Sequence, residues 1–275
     1  MINEKYRDLK QLSQKLSNTY QNNHPFPSIY IDDFFEAPFL HQVLNEFPNL
    51  EKLKDKIYYT NPNEDKFATI GEKDFGDNTL KLVHFLNSQP FLEFLQELTG
   101  IEEPLIPDPY FEGGGFHEIK PNGFLKIHVD FHKNKKLKLN RRVNFLIYLN
   151  ENWEENYGGH LELWDKDMSM CVSKILPIFN RVAMFSTTGD SWHGHPDPVK
   201  CPIGNSRKSL ALYYYTNGRP KNELDHKQEN RITTTFNERK GLDSPKMKLY
   251  NKMINTAHTI IPESVIQFIK DKRNK

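Results

Sequence analysis

The segment Phe124-Leu125-Lys126-Ile127-His128-Val129-Asp130 puts an imidazole and a carboxylate two residues apart at the end of a strand-like run. In an extended chain, residues i and i+2 point to one side, so both side chains can reach a single ion. A third ligand from a distant strand would complete one face of an octahedron. Two histidines and one carboxylate, with the opposite face open, form the donor set of non-haem Fe(II) oxygenases. His-x-Asp alone is a common coincidence and carries little weight.

Its context adds weight. The segment Gly189-Asp190-Ser191-Trp192-His193-Gly194-His195-Pro196 supplies a second histidine, and Arg207 follows at the opening of the strand-like run Lys208–Tyr215. A 2-oxoglutarate site needs three protein ligands for iron and a buried cation for the far carboxylate of the cosubstrate. Arginine suits that task because its planar fork pairs bidentately with a carboxylate and keeps its proton. Alone, Arg207 would read as a surface charge; the ordered set His128, Asp130, His193 and Arg207 reverses that reading.

These residues resemble the prolyl 4-hydroxylase-like branch of the Fe(II)/2-oxoglutarate-dependent dioxygenases. The likeness covers about residues 113–220, and more weakly 27–48. It rests on His128-x-Asp130, the run Arg142–Asn150, Gly158-Gly159-His160-Leu161, Ser191-Trp192-His193 and Arg207-Lys208-Ser209. The resemblance implies an α+β fold, a double-stranded β-helix (jelly roll) core with packed N-terminal and C-terminal helices. It implies that His128, Asp130 and His193 bind Fe(II). It also implies that Arg207 holds the distal carboxylate of 2-oxoglutarate, that the Tyr148 phenol joins it and that Ser209 assists, with O2 as the other cosubstrate. In related halogenases a small residue replaces the carboxylate, so Asp130 favours hydroxylation. The family pattern prefers His193 over His195 as distal ligand, leaving His195 at the pocket rim. His132 is expected behind the ligands or facing substrate, His117 and His160 as ordinary strand residues, and Trp164 and Trp192 as wall or core. Gly113-Gly114-Gly115 lacks the spacing of a phosphate loop.

The elements that must position these groups follow from the rest of the chain. Its 275 residues can bury a large core without disulfides. With 37 Lys/Arg against 36 Asp/Glu, gripping nucleic acid is not expected to be the main task. Cys171 and Cys201 read as reduced thiols, and with no targeting or bilayer-spanning segment the expectation is a cytoplasmic chain off the membrane. Leu9, Leu12 and Leu16 form one helical stripe. Phe39, Leu40, Val43, Leu44 and Phe47 form a second, and Phe91, Leu92, Phe94, Leu95 and Leu98 a third. The polar stretch Glu51–Asn78 between the last two reads as an ordered loop or a substrate-gating lid.

From about Pro107 the pattern turns to short β-runs: Phe124–Ile127, Val143–Leu149, His160–Trp164, Val172–Leu176, Val182–Phe185 and Ser209–Tyr215. The chain thus divides into a mainly helical part at 1–106, a catalytic β core at 107–220 and a basic C-terminal extension at 221–275. Residues 219–275 hold 13 Lys/Arg against 7 Asp/Glu. Two helices are predicted there, one capped by Ser244 with Pro245 at its first position and another starting at Pro262.

The substrate, a protein or a small molecule, is not written in the motif. Prolyl hydroxylation of a protein leads, a small-metabolite hydroxylase comes next, and a non-catalytic cupin-like binding module is the alternative from another class. A zinc hydrolase using His128, Asp130 and His193 would leave Arg207 and Tyr148 without a task. Neutral imidazole ligands should protonate in acid and take activity with them.

Overall fold

A computed structural model of the chain describes residues 1–220, 223 and 230–260. Asp8 caps the first helix, α1 (Leu9–Gln21), by accepting from Gln11 N. Strand β1 (Ser28–Ile31) follows, then α2 (Ala37–Asn45), with a proline in its first turn. Helices α3 (Asp77–Leu86) and α4 (Gln89–Thr99) complete the helical layer, and Gly100 ends α4 in the left-handed region.

The polar stretch expected as a loop or lid is instead a hairpin, β2 (Ile57–Asn61) and β3 (Glu64–Ala68), followed by the start of α3. It did not read as strands because polar Asn61, Glu64, Asp65 and Lys66 leave Tyr58 and Phe67 without an apolar alternation. Strand β3 pairs with two strands of the main sheet, β5 (Gly115–Ile119) and β6 (Phe124–Val129).

The remaining strands are β4 (Ile106–Pro107), β7 (Asn140–Tyr148), β8 (Leu161–Trp164), β9 (Cys171–Ile175), β10 (Val182–Ser186), β11 (His193–His195), β12 (Arg207–Thr216) and β13 (Thr235–Phe236). Every pairing among the described residues is antiparallel, and the main order is β1-β10-β7-β12-β5-β3-β6-β11-β8-β9. The sheet curls into a nearly closed β-sandwich, the jelly roll of an α+β fold. Strands β1 to β3 lie within residues 1–106 and belong to this same sheet. Helix α5 (Pro245–Ile260) follows the β core, with Met247 N donating to the Ser244 hydroxyl. The helix expected from Pro262 lies outside the described residues. No helix among them is long and apolar enough to cross a membrane.

Alternation along two central strands decides which residues meet substrate and which meet the helices. Val143, Phe145 and Ile147 of β7, with Leu210, Leu212 and Tyr214 of β12, join the buried core under α1, α2 and α4. There Phe91 meets Phe145 edge-on, with ring centroids 5.3 Å apart. The opposite positions, Asn144 and Leu146 of β7 and Arg207, Ser209 and Tyr213 of β12, line the interior of the roll. Full burial of a large aromatic side chain stabilises by roughly 1.5–3 kcal/mol, so this layer fixes the strands that carry the site.

Candidate active site

The interior of the roll is a cavity of about 830 Å³. His128 lies near the end of β6, Asp130 just after it and His193 at the start of β11. His193 and His128 are direct register partners, but His195 pairs with Leu125, so three steps along β6 match two along β11. This β-bulge brings Leu125, His128 and Asp130 to the same cavity wall. Gly194 permits the close approach, because a Cβ there would lie 2.8 Å from the carbonyl oxygens of Leu125 and Lys126.

Among the described residues, His128, Asp130 and His193 are the three buried side chains whose ligand atoms lie within 4.8 Å of one another. The His128 Nδ1–H donates to Lys126 O at 2.8 Å, and the His193 Nδ1–H donates to Ser191 O at 2.8 Å. Each bond fixes the tautomer and leaves the Nε2 lone pair free. The two Nε2 atoms stand 3.7 and 3.4 Å from the Asp130 carboxylate oxygens. Burial, and then the neighbouring His193, push His128 down to about 3; burial also lowers His193. The ligand imidazoles therefore stay neutral well below the ordinary histidine range.

Asp130 is also buried, which by itself would raise its pKa. Arg141 Nη2 at 3.0 Å, the two imidazoles and the Asn144 amide donating at 2.8 Å overcome that penalty and hold it well below the usual carboxylate range. Arg141 is itself 2 % exposed, with its guanidinium 3.4 Å from the Tyr213 ring centroid and its Nε–H donated to Asn144 Oδ1. Arg141 and Asn144 had no role in the sequence reading. Their signal was the strand itself: Asn144 is a polar residue on the inward face of β7, one strand from Asp130 in sequence.

Arg207 is 4 % exposed at the start of β12 and pairs with no carboxylate among the described residues. Its Nε–H donates to Gly159 O at 2.7 Å, and burial lowers its pKa. Gly159, at φ +69°, leaves room for it: a Cβ would lie 2.9 Å from Arg207 Cδ. Tyr148 is wholly buried, with the Arg207 guanidinium 5.0 Å from its ring centroid and no hydrogen-bond partner on its phenol oxygen. Ser209 is the register partner of Tyr148 and lines the cavity.

His195 lines the cavity but stays outside the three-residue cluster, and its Nδ1 has no partner. His132 is fully buried, with Nε2 facing Arg231. His117 lines the cavity, which is more than an ordinary strand position requires. His160 pairs with Glu155 at the surface. The C-terminal extension, where substrate-selecting residues are expected, closes the wall: β13 pairs with β6 at the ligand, Phe236 against His128, with ring centroids 5.4 Å apart.

A jelly roll that buries two histidines and a carboxylate side by side is the architecture of a non-haem metal oxygenase. Residues 114–215 match the model of the 2OG-Fe(II) oxygenase superfamily. That family uses Fe(II), 2-oxoglutarate and O2. The chain is 28% identical over 79 residues to mouse (Mus musculus) prolyl 3-hydroxylase OGFOD1, a match covering 27% of this chain and 14% of that relative. Its fold is similar to a Pseudomonas putida prolyl-4-hydroxylase, with TM-score 0.55, 14% identity and coverage of 75% of this chain and all of that one. It is also similar to a Trichoplax adhaerens prolyl hydroxylase in complex with a hypoxia inducible factor peptide, with TM-score 0.57, 18% identity and coverage of 77% and 92%.

Proposed function

We propose that the chain is an Fe(II)- and 2-oxoglutarate-dependent hydroxylase whose substrate is a prolyl residue of a polypeptide. The observation that carries this reading is the buried His128–Asp130–His193 cluster in the same cavity as Arg207, a buried cation that no carboxylate of the described chain satisfies. In this reading His128 Nε2, Asp130 and His193 Nε2 hold iron. Arg207, Tyr148 and Ser209 receive the distal carboxylate of 2-oxoglutarate, which would supply the missing counter-charge and the missing partner of the Tyr148 phenol. Bound iron, 2-oxoglutarate and O2 together supply the oxidising power to hydroxylate a C–H bond, with succinate and CO2 as coproducts.

The chain's own residues do the rest. Backbone carbonyls hold both imidazoles in the ligating tautomer, and Arg141 keeps Asp130 ionised. Leu146, Leu161 and Phe185 give the cavity an apolar floor that excludes water around the reacting groups. Similarity to mouse OGFOD1 and to the two prolyl hydroxylases supports proline as the target. The test is anaerobic addition of Fe(II) and 2-oxoglutarate, which should produce a weak visible charge-transfer band. Exposure to air should then yield succinate and a peptide product heavier by one oxygen. Absence of both band and succinate would refute the reading.

A further inference from the structure

We infer that the substrate reaches this cavity on an acidic stretch of polypeptide, read by lysines fixed around the mouth. The inference rests on the cavity being the substrate site of the hydroxylase proposed above. Net charge is only +1, so a local excess of one sign is an asymmetry of the surface. No Asp or Glu occurs between Asp130 and Glu151, whereas Lys133, Lys135, Lys136 and Lys138 share one turn, from which Lys135 lines the cavity.

That turn is built to hold its shape. Fully buried Asn134 accepts from Lys136 N and Leu137 N, both at 2.9 Å, and donates its amide to Asp108 at 3.2 Å. The Lys136 ammonium sits 4.0 Å from the Tyr110 ring centroid. Lys54 and Lys56, before β2, also line the cavity. Lys56 donates to the carbonyls of Glu51 and Leu53 and meets no carboxylate among the described residues. The acids nearby in sequence are engaged elsewhere, Asp55 with Lys73 and Glu51 with Lys120.

Deeper cations are already matched: Arg141 by Asp130, and Lys66 by Glu64 at 3.5 Å. Among the described residues Glu112 is the remaining acid on the wall, against Lys54 and Lys56. Arg141, Arg207 and Arg239 are buried on carboxylates or a carbonyl, and Arg231 donates to Asp130 O. Lysine ammoniums are point charges that pair with carboxylates or phosphates alike, and the polypeptide substrate proposed above makes carboxylates spaced along an extended peptide the match.

The test uses fluorescein-labelled peptides with one central proline and three flanking Asp/Glu, Gln or Lys residues on each side, with binding read by anisotropy. The acidic peptide should bind about tenfold or more tighter than the Gln peptide at low salt, and the gap should shrink to below about threefold at 0.5 M salt. The double variant Lys54→Glu/Lys138→Glu should lose the preference while its substrate-free turnover of 2-oxoglutarate stays unchanged. Equal binding of acidic and Gln peptides would overturn the inference. So would single-stranded RNA of equal charge binding as tightly as the acidic peptide. If the acidic peptide binds as expected but no succinate forms from Fe(II) and 2-oxoglutarate, the hydroxylase reading falls and the docking surface stands.

Discussion

His193 faces His128 directly across two antiparallel strands, with ring centroids 4.4 Å apart and both Nε2 atoms turned toward Asp130. Sixty-four residues separate the partners of this pair in the chain, yet neither ring needs a long side chain to arrive. The bulge in β6 and the missing Cβ at Gly194 bring the backbones close enough for short imidazoles to converge.

The first prediction tests that convergence. His128→Ala, Asp130→Ala and His193→Ala should each abolish stoichiometric binding of Fe(II) or Mn(II), because the face has only three protein donors. Far-UV circular dichroism should show a folded chain in each case. His195→Ala should keep the metal. Calorimetric titration decides, and the reverse result for the two histidines of β11 would move the third ligand to His195.

Arg207→Ala should act on the cosubstrate and spare the metal. Truncating one member of a buried charge pair costs about 2–5 kcal/mol, so the dissociation constant for 2-oxoglutarate should rise at least about tenfold. Tyr148→Phe should cost less, about 1.5–3 kcal/mol for a hydrogen bond to a charged group. Unchanged 2-oxoglutarate binding by Arg207→Ala breaks the assignment.

Arg141 should matter most when no metal is bound. Removing one partner of a buried pair leaves the other charge uncompensated, a loss of about 3–5 kcal/mol. Arg141→Met should therefore lower the urea midpoint of the metal-free protein at neutral pH, and Mn(II) should narrow the deficit by supplying positive charge to Asp130. Arg141→Lys should rescue poorly, since it lacks the Nε–H that Asn144 accepts and the planar face on Tyr213. A deficit that metal leaves untouched would show that Arg141 serves packing alone.

Much of this arrangement was legible in advance because its chemistry is local. His128 and Asp130 are two residues apart on a strand, and Arg207 opens an apolar run whose alternation is plain. Glu64 and Lys66 were not legible: a strand whose inward face is polar has no apolar alternation, and its partners lie some fifty residues away. Arg141 was equally hidden, since a buried arginine shows itself only when Asp130 is placed beside it. The hairpin within Glu51–Asn78 was missed for the same reason, because low hydrophobicity there reports a polar cavity wall.

Glu46 offers a pH test. The α3 N-cap is Gly76, which has no side chain to cap with, and Glu46 at the C-terminal end of α2 fills the place. Its carboxylate accepts from Asn78 N, Thr79 N and the Thr79 hydroxyl at 2.7–2.9 Å. Burial opposes ionisation, but these bonds win and the pKa is lowered from 4.5. A depressed carboxylate contributes stability above its unfolded pKa and loses it as pH falls through the folded one. Glu46→Ala should thus cost about 0.5–2 kcal/mol at pH 7 by chemical denaturation, the scale of a lost helix cap. The gap from wild type should shrink as pH drops below 4.5; a gap independent of pH would assign the effect to packing.

The hairpin supplies the last test. A gating lid would expose Lys66 to trypsin until ligands closed it, since a protease must draw several residues of extended chain into its cleft. Instead Lys66 pairs with Tyr59 across β2, while Glu64 and Asp65 on one side of it bond β6 and Phe67 and Ala68 on the other bond β5. Its side chain is 13% exposed and paired with Glu64. Cleavage after Lys66 therefore requires both edges of β3 to detach from the jelly roll, a sub-global opening drawn from the stable end of the range. The expected outcome is protection of Lys66 whether or not Fe(II) and 2-oxoglutarate are present, with early cuts falling at exposed Lys52 and Lys54 just before β2. Mass spectrometry of timed digests reads this directly. Rapid cutting after Lys66 that slows when the ligands are added would restore the lid and require β3 to leave the sheet in the free enzyme.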